Sequence, residues 1–144
     1  MALFLVQHGR SLPKEINPAC PLSDEGREMV EHIARTAADH KLKVSVIRHS
    51  GKTRARETAE IMAYFLKPSG GIQEGHGLNP LDNVTEAAQQ ISGEEHLMLV
   101  GHLPFMERLA GYLITGSPDK HRTEISEWRH CMSGQAAGIK GLVH

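Results

Sequence analysis

Three short segments hold the residues whose types and spacing can do chemistry: Gln7-His8-Gly9-Arg10, Arg48-His49-Ser50 with Arg54 close behind, and Gly101-His102. Histidine changes charge near neutral pH and can act as a nucleophile or proton carrier. Arginine offers a fixed fork of donors to oxyanions. A glycine directly after His8 lets the backbone turn sharply and approach a ligand closely. Brought together, these groups describe an anion pocket, best suited to a phosphoryl group. Taken singly, Arg54 reads better as a surface helix arginine and His102 equally well as a helix cap, so convergence is what gives them meaning.

Convergence requires elements that end at one place. Each segment follows a short apolar run, at Leu3 to Val6, Val44 to Ile47 and His96 to Val100, patterned as buried strands. Parallel strands put their carboxyl ends on one edge of a sheet, where open α/β folds hold ligands. Between the strands lie helical periodicities. Ser23 is an N-cap with Asp24 and Glu25 in the first turn, and that helix runs to about Asp39. A second helix starts near Lys52 and turns Ala55, Ala59, Met62, Ala63 and Leu66 to the sheet, which places Arg54 in its first turn. A third covers Asn83 to Ile91, capped by Asp82 or Asn83. A fourth has Pro104 in its first turn, runs through Ile114 and has Gly116 beyond its end. Ser69 to Pro80, rich in glycine, reads as a mobile loop. Ser117 to His144 is poorly patterned, with Trp128 and the 135–143 stretch supplying at most one more edge strand. The order predicts a single domain over residues 1–144, a three-layer α/β/α fold with a mainly parallel sheet and helices on both faces.

Composition narrows the function classes. The chain has 144 residues and a formal net charge of −1, so no basic excess argues for nucleic acid. Aromatic residues are too scarce for base-stacking platforms. Cys20 and Cys131 have no metal or redox spacing, which suits a reducing compartment. There is no signal-peptide pattern and no apolar run of membrane-spanning length. A cytoplasmic protein with no membrane partner is the expectation. The ten histidines keep metal binding open as a rival.

The ordered motifs resemble the histidine phosphatase superfamily, the phosphoglycerate mutase-like fold, and within it the short SixA-like phosphohistidine phosphatases. Gln7-His8-Gly9 matches the family's Arg-His-Gly. Leu22-Ser23-Asp24-Glu25-Gly26 matches its Leu-Thr/Ser-x-x-Gly helix start. The stretch from Ser50 through Arg54-Ala55 to Thr58-Ala59 matches Ser-Pro-x-x-Arg-Ala-x-x-Thr-Ala, and Leu78-Asn79-Pro80 and Gly101-His102-Leu103-Pro104 match two further steps. The resemblance implies that His8 is the nucleophile that becomes a phosphohistidine, and that Arg54 and His102 hold the non-bridging oxygens. It implies a phosphate site formed by Gln7, Gly9, Arg10, Arg54 and His102. No cofactor or metal is implied, and the expected partner is a phosphorylated histidine-containing protein of a phosphorelay or phosphocarrier system.

Two departures from the family pattern stand out. Gln7 replaces an arginine and brings neither charge nor fork, a loss that Arg10 or Arg48 would partly make good. Gly51 replaces a proline, a change expected to loosen that loop. None of Glu74, Asp82 and Asn83, near the place of the larger members' general acid, carries a motif. The absence of an acid suits a phosphoramidate substrate, whose leaving nitrogen needs little help beyond its own protonation. Two other readings remain: a non-catalytic member that binds phosphate or phosphohistidine, favoured by Gln7, and a metal-dependent hydrolase using His8, His49 and His102.

Overall fold

A computed structural model describes residues 2–91, 96–115, 129–130 and 138–143. In chain order these form β1 (Ala2–Gln7), α1 (Asp24–Asp39), β2 (Val46–His49), α2 (Thr53–Leu66), β3 (Ile72–Glu74), α3 (Val84–Ile91), β4 (Leu97–Gly101), α4 (Phe105–Thr115), β5 (Arg129–His130) and β6 (Gly138–Val143). The sheet order is β3-β2-β4-β1-β6-β5. The first four of these strands run parallel, and β6 and β5 are added antiparallel beyond β1.

Alternation along the strands makes the three layers. Phe4 and Val6 of β1, Ile47 of β2, and Met98 and Val100 of β4 pack with Val30 and Ile33 of α1 and Ala59 and Met62 of α2. Their neighbours Leu3, Leu5, Val46, Leu97 and Leu99 point to the opposite face, against Val84 and Ile91 of α3 and Phe105 and Leu109 of α4. A sheet covered on both faces needs apolar residues at successive positions, and all five residues of β4 are buried. This is the α/β fold the sequence predicts.

Two expectations are corrected. Within the supposed mobile loop at Ser69 to Pro80, residues 72–74 form β3, paired in parallel with β2 from Ile47↔Ile72 to His49↔Glu74. All three side chains are exposed, so the strand exists through its backbone pairing and leaves no apolar signal. The single further edge strand becomes two strands. β6 is an inner strand, registered on β1 from Ala2↔Val143 to Gln7↔Gly138, and β5 takes the edge. Gly138 and Gly141 dilute the alternation of β6, and β1 supplies a complete ladder that overrides their poor strand propensity. Gly116, Trp128, Cys131 and Gln135 lie outside the described residues. Among the described residues no helix is long and apolar enough to cross a membrane.

Candidate active site

The site forms where β1, β2 and β4 end. The His8 N–H donates to the Gly101 carbonyl at 3.0 Å, tying the end of β1 to the end of β4. That tie sets the His8 and His102 rings 4.9 Å apart between centroids. The His8 Nδ1 lies 2.7 Å from its neighbour's carbonyl, Gly9 O, and a carbonyl can only accept. Nδ1 therefore carries the proton, and Nε2 keeps its lone pair. Arg54, in the first turn of α2, donates from Nε to that Nε2 at 3.3 Å. Burial, together with the Arg54 charge, pushes the His8 pKa below its ordinary value against the opposing pull of the Gly9 carbonyl. A neutral imidazole with its lone pair at Nε2 has the chemistry of a nucleophile once the Arg54 donor moves aside.

A second set of contacts holds the His8 turn in place. The Thr58 hydroxyl accepts from the Gly9 N–H at 3.0 Å and donates to the Arg54 carbonyl at 2.7 Å, joining nucleophile loop and cation through one oxygen. The Gly9 N–H is thereby committed to the scaffold. A Cβ on Gly9 would stand 2.6 Å from Val30 Cγ2, so a glycine permits the close packing on α1. At the start of α1, Ser23 accepts from the Gly26 N–H, and its own N–H donates to the Arg10 carbonyl. A Cβ on Gly26 would come within 2.0 Å of that carbonyl oxygen. Glu57 completes the clamp, accepting from the Leu22 N–H and from Arg27.

His102 is only 2% exposed. Its Nε2 lies 2.6 Å from the Ser50 hydroxyl, and its Nδ1 is buried with no hydrogen-bond partner among the described residues. Desolvation, then the neighbouring His8 imidazole and the charges of Arg54 and Lys52, pushes its pKa down to about 3. Lys52 is the N-cap of α2 and makes no side-chain capping bond there; its carbonyl accepts from the Ala55 and Arg56 N–H groups, and no side chain caps the amides of Thr53 and Arg54 among the described residues.

The other sequence candidates sit as follows. Gln7 is the last residue of β1, paired with Gly101 on one side and Gly138 on the other. Arg10 turns its half-exposed guanidinium to Glu25 at 3.5 Å. Arg48 donates to Gln73 at 3.3 Å on the β3 side. Asp82 accepts from the Asn79 N–H, and Asn83, which proves to be the cap of α3, accepts from Thr85. Both side chains thus serve turns. Gly51 adopts φ +93°, a conformation closed to proline, and packs so tightly on the Glu74 carboxylate that a Cβ would lie 2.3 Å from Oε1. Among the described residues no group of three or more His, Cys, Asp or Glu is placed to hold a metal ion. Thr58 and Ser50 fell within matched motifs but carried no role; the Arg54–Thr58 spacing of four on one helix face was the available signal for the first.

The sequence profile of the histidine phosphatase superfamily (branch 1) matches residues 3–79. The chain belongs to this superfamily. Its members are phosphatases or mutases. No curated protein sequence matches the chain. Among solved structures, the fold resembles the protein histidine phosphatase SixA complexed with tungstate, with a TM-score of 0.72 at 20% identity over 78% of this chain and 76% of that one. A putative SixA from Agrobacterium tumefaciens gives 0.67 at 24% identity, with the same coverage of each chain. A phosphoglycerate mutase from Plasmodium falciparum gives 0.59 at 23% identity, over 76% of this chain and 65% of that one.

Proposed function

We propose that the chain is a single-domain, cytoplasmic, metal-independent phosphohistidine phosphatase acting on a phosphorylated histidine-containing protein. One observation carries the reading: His8 is neutral, with Nδ1 on the Gly9 carbonyl and Nε2 aimed at Arg54, beside the unpartnered Nδ1 of His102. The protein histidine phosphatase named among the similar structures supports the choice of substrate.

A phosphoryl group arriving beside the two rings, at Nε2 of His8, draws the Arg54 N–H from Nε2 onto its oxygens. Nε2 then attacks phosphorus, the substrate's N–P bond breaks, and the leaving imidazole nitrogen keeps the bond's electron pair and takes a proton from solvent. Water next attacks the phosphorus on His8, releasing inorganic phosphate and restoring the neutral ring. Phosphoryl transfer depends on positioning and on charge matched to the equatorial oxygens. Arg54 and His102 supply these, with the uncapped α2 amides behind them. Arg10 can join, because an exposed ion pair such as Arg10–Glu25 is worth at most about 1 kcal/mol and yields readily to a more highly charged anion. Gln7 contributes hydrogen bonds in place of charge, and Gly9 permits the turn.

Gln7 also favours a second reading, a member that binds phosphohistidine without turning it over. Incubation with a phosphohistidine protein in the presence of chelator separates the two. Release of inorganic phosphate supports the enzyme, and retention of the phosphoprotein without release supports the binder.

A further inference from the structure

We propose that Ser50 is a positioning residue that sets the tautomer of His102, its hydroxyl donating to Nε2 so that Nδ1 carries the ring proton and offers it to a phosphoryl oxygen. The contact is short, 2.6 Å, and joins the end of β2 to the end of β4. A neutral imidazole has one N–H and one lone pair, so its two nitrogens cannot both donate. His102 is held neutral by burial and by the cations around it. One of its nitrogens must therefore accept.

The proton count decides which. Among the described residues the Ser50 hydroxyl reaches one acceptor, His102 Nε2. If Nε2 carried the proton instead, it would donate to Ser50, and the hydroxyl hydrogen would have no protein acceptor. Nδ1 would then turn a buried lone pair on an arriving anion. With the hydroxyl donating, both costs disappear: Nε2 accepts, and Nδ1 becomes an N–H without an acceptor among the described residues. Buried polar groups are almost always paired, so an unpaired donor 4.9 Å ring to ring from the nucleophile marks where an oxygen is received. The local chain holds Ser50 at this task. His49, one residue earlier, is buried and accepts from the Gly51 N–H, and Gly51 makes the left-handed turn into α2.

The role offered for Nδ1 rests on the phosphatase reading, but the tautomer can be measured without turnover. Long-range proton–nitrogen correlation spectra of histidine-labelled protein near neutral pH should show His102 protonated at Nδ1. Ser50→Ala should move the proton toward Nε2 and weaken binding of inorganic phosphate about five- to ten-fold, the worth of one such hydrogen bond. Ser50→Thr, which keeps the hydroxyl, should restore both, with thermal melting confirming that each variant is folded. Wild-type His102 protonated at Nε2 would overturn the proposal, as would a Ser50→Ala variant with an unchanged His102 spectrum and unchanged phosphate affinity. A wild type that shows Nδ1–H yet binds no phosphate would remove the phosphatase reading and keep the tautomer assignment.

Discussion

The two histidines at the centre of the site are both held neutral, and they differ in what their nitrogens hold. On His8 both nitrogens are engaged, Nδ1 with the Gly9 carbonyl and Nε2 with the Arg54 guanidinium. On His102 one nitrogen is engaged with Ser50 and the other has no partner among the described residues. The first ring is aimed by backbone and guarded by a cation that must shift before the lone pair can react. The second is deeper, with its Nδ1 buried. On the proposed function, phosphoryl binding would rearrange the His8 side and give the His102 Nδ1 its partner.

Breaking the His8 side should have the largest effects. His8→Ala should lower turnover at least about a thousand-fold, the scale seen when a nucleophile is removed. Arg54→Ala should cost about 10²–10³ in rate, as loss of one charge-stabilising donor does. Arg54→Lys should recover only part of that, since the lysine point charge lacks the fork. Steady-state phosphate release from a phosphohistidine protein measures all three. A wild-type rate in Arg54→Lys would show that fork geometry is irrelevant, and a rate no better than that of Arg54→Ala would show that charge alone contributes nothing.

The scaffold beneath His8 comes next. Thr58→Val removes the acceptor for the buried Gly9 N–H and should cost about 1–3 kcal/mol in denaturant unfolding. Activity should fall with it, because the same hydroxyl ties the His8 turn to Arg54. A variant of full stability and full rate would mean that this oxygen does not position the site.

The His102 side should show itself in pH. An imidazole in the unfolded chain takes up a proton near pH 6.5, whereas His102 in the folded protein does so only near about 3. Between those values the unfolded state binds more protons, so stability falls as pH falls through that window. The lowered pKa of His8 acts in the same direction. Replacing His102 by Gln should flatten the acid side of the stability curve, and an unchanged slope would place the loss elsewhere. The smallest effect expected is at the rim, where Arg10→Ala should weaken phosphate binding several-fold, more at low salt than at high.

Much of this arrangement was legible before any coordinates. His8, Arg54 and His102 could be found because each follows an apolar strand or opens a helix, and parallel strands bring such ends together. Thr58 and Ser50 could not be assigned, because each acts through a hydroxyl crossing to another element, a relation with no local pattern. β3 left no trace because its three side chains face solvent, and β6 was obscured by its glycines. The Gly51 turn left no sequence signal beyond the missing proline, because its positive φ is a backbone property that only glycine adopts easily.

The most direct measurement is to trap the enzyme during reaction with a labelled phosphohistidine protein and map the label by peptide mass spectrometry. The prediction is an acid-labile, base-stable phosphoryl group on His8, present in wild type and absent from His8→Ala. Phosphate release with no label on His8, or a label that persists in His8→Ala, would contradict the assignment of His8 as the phosphoryl acceptor.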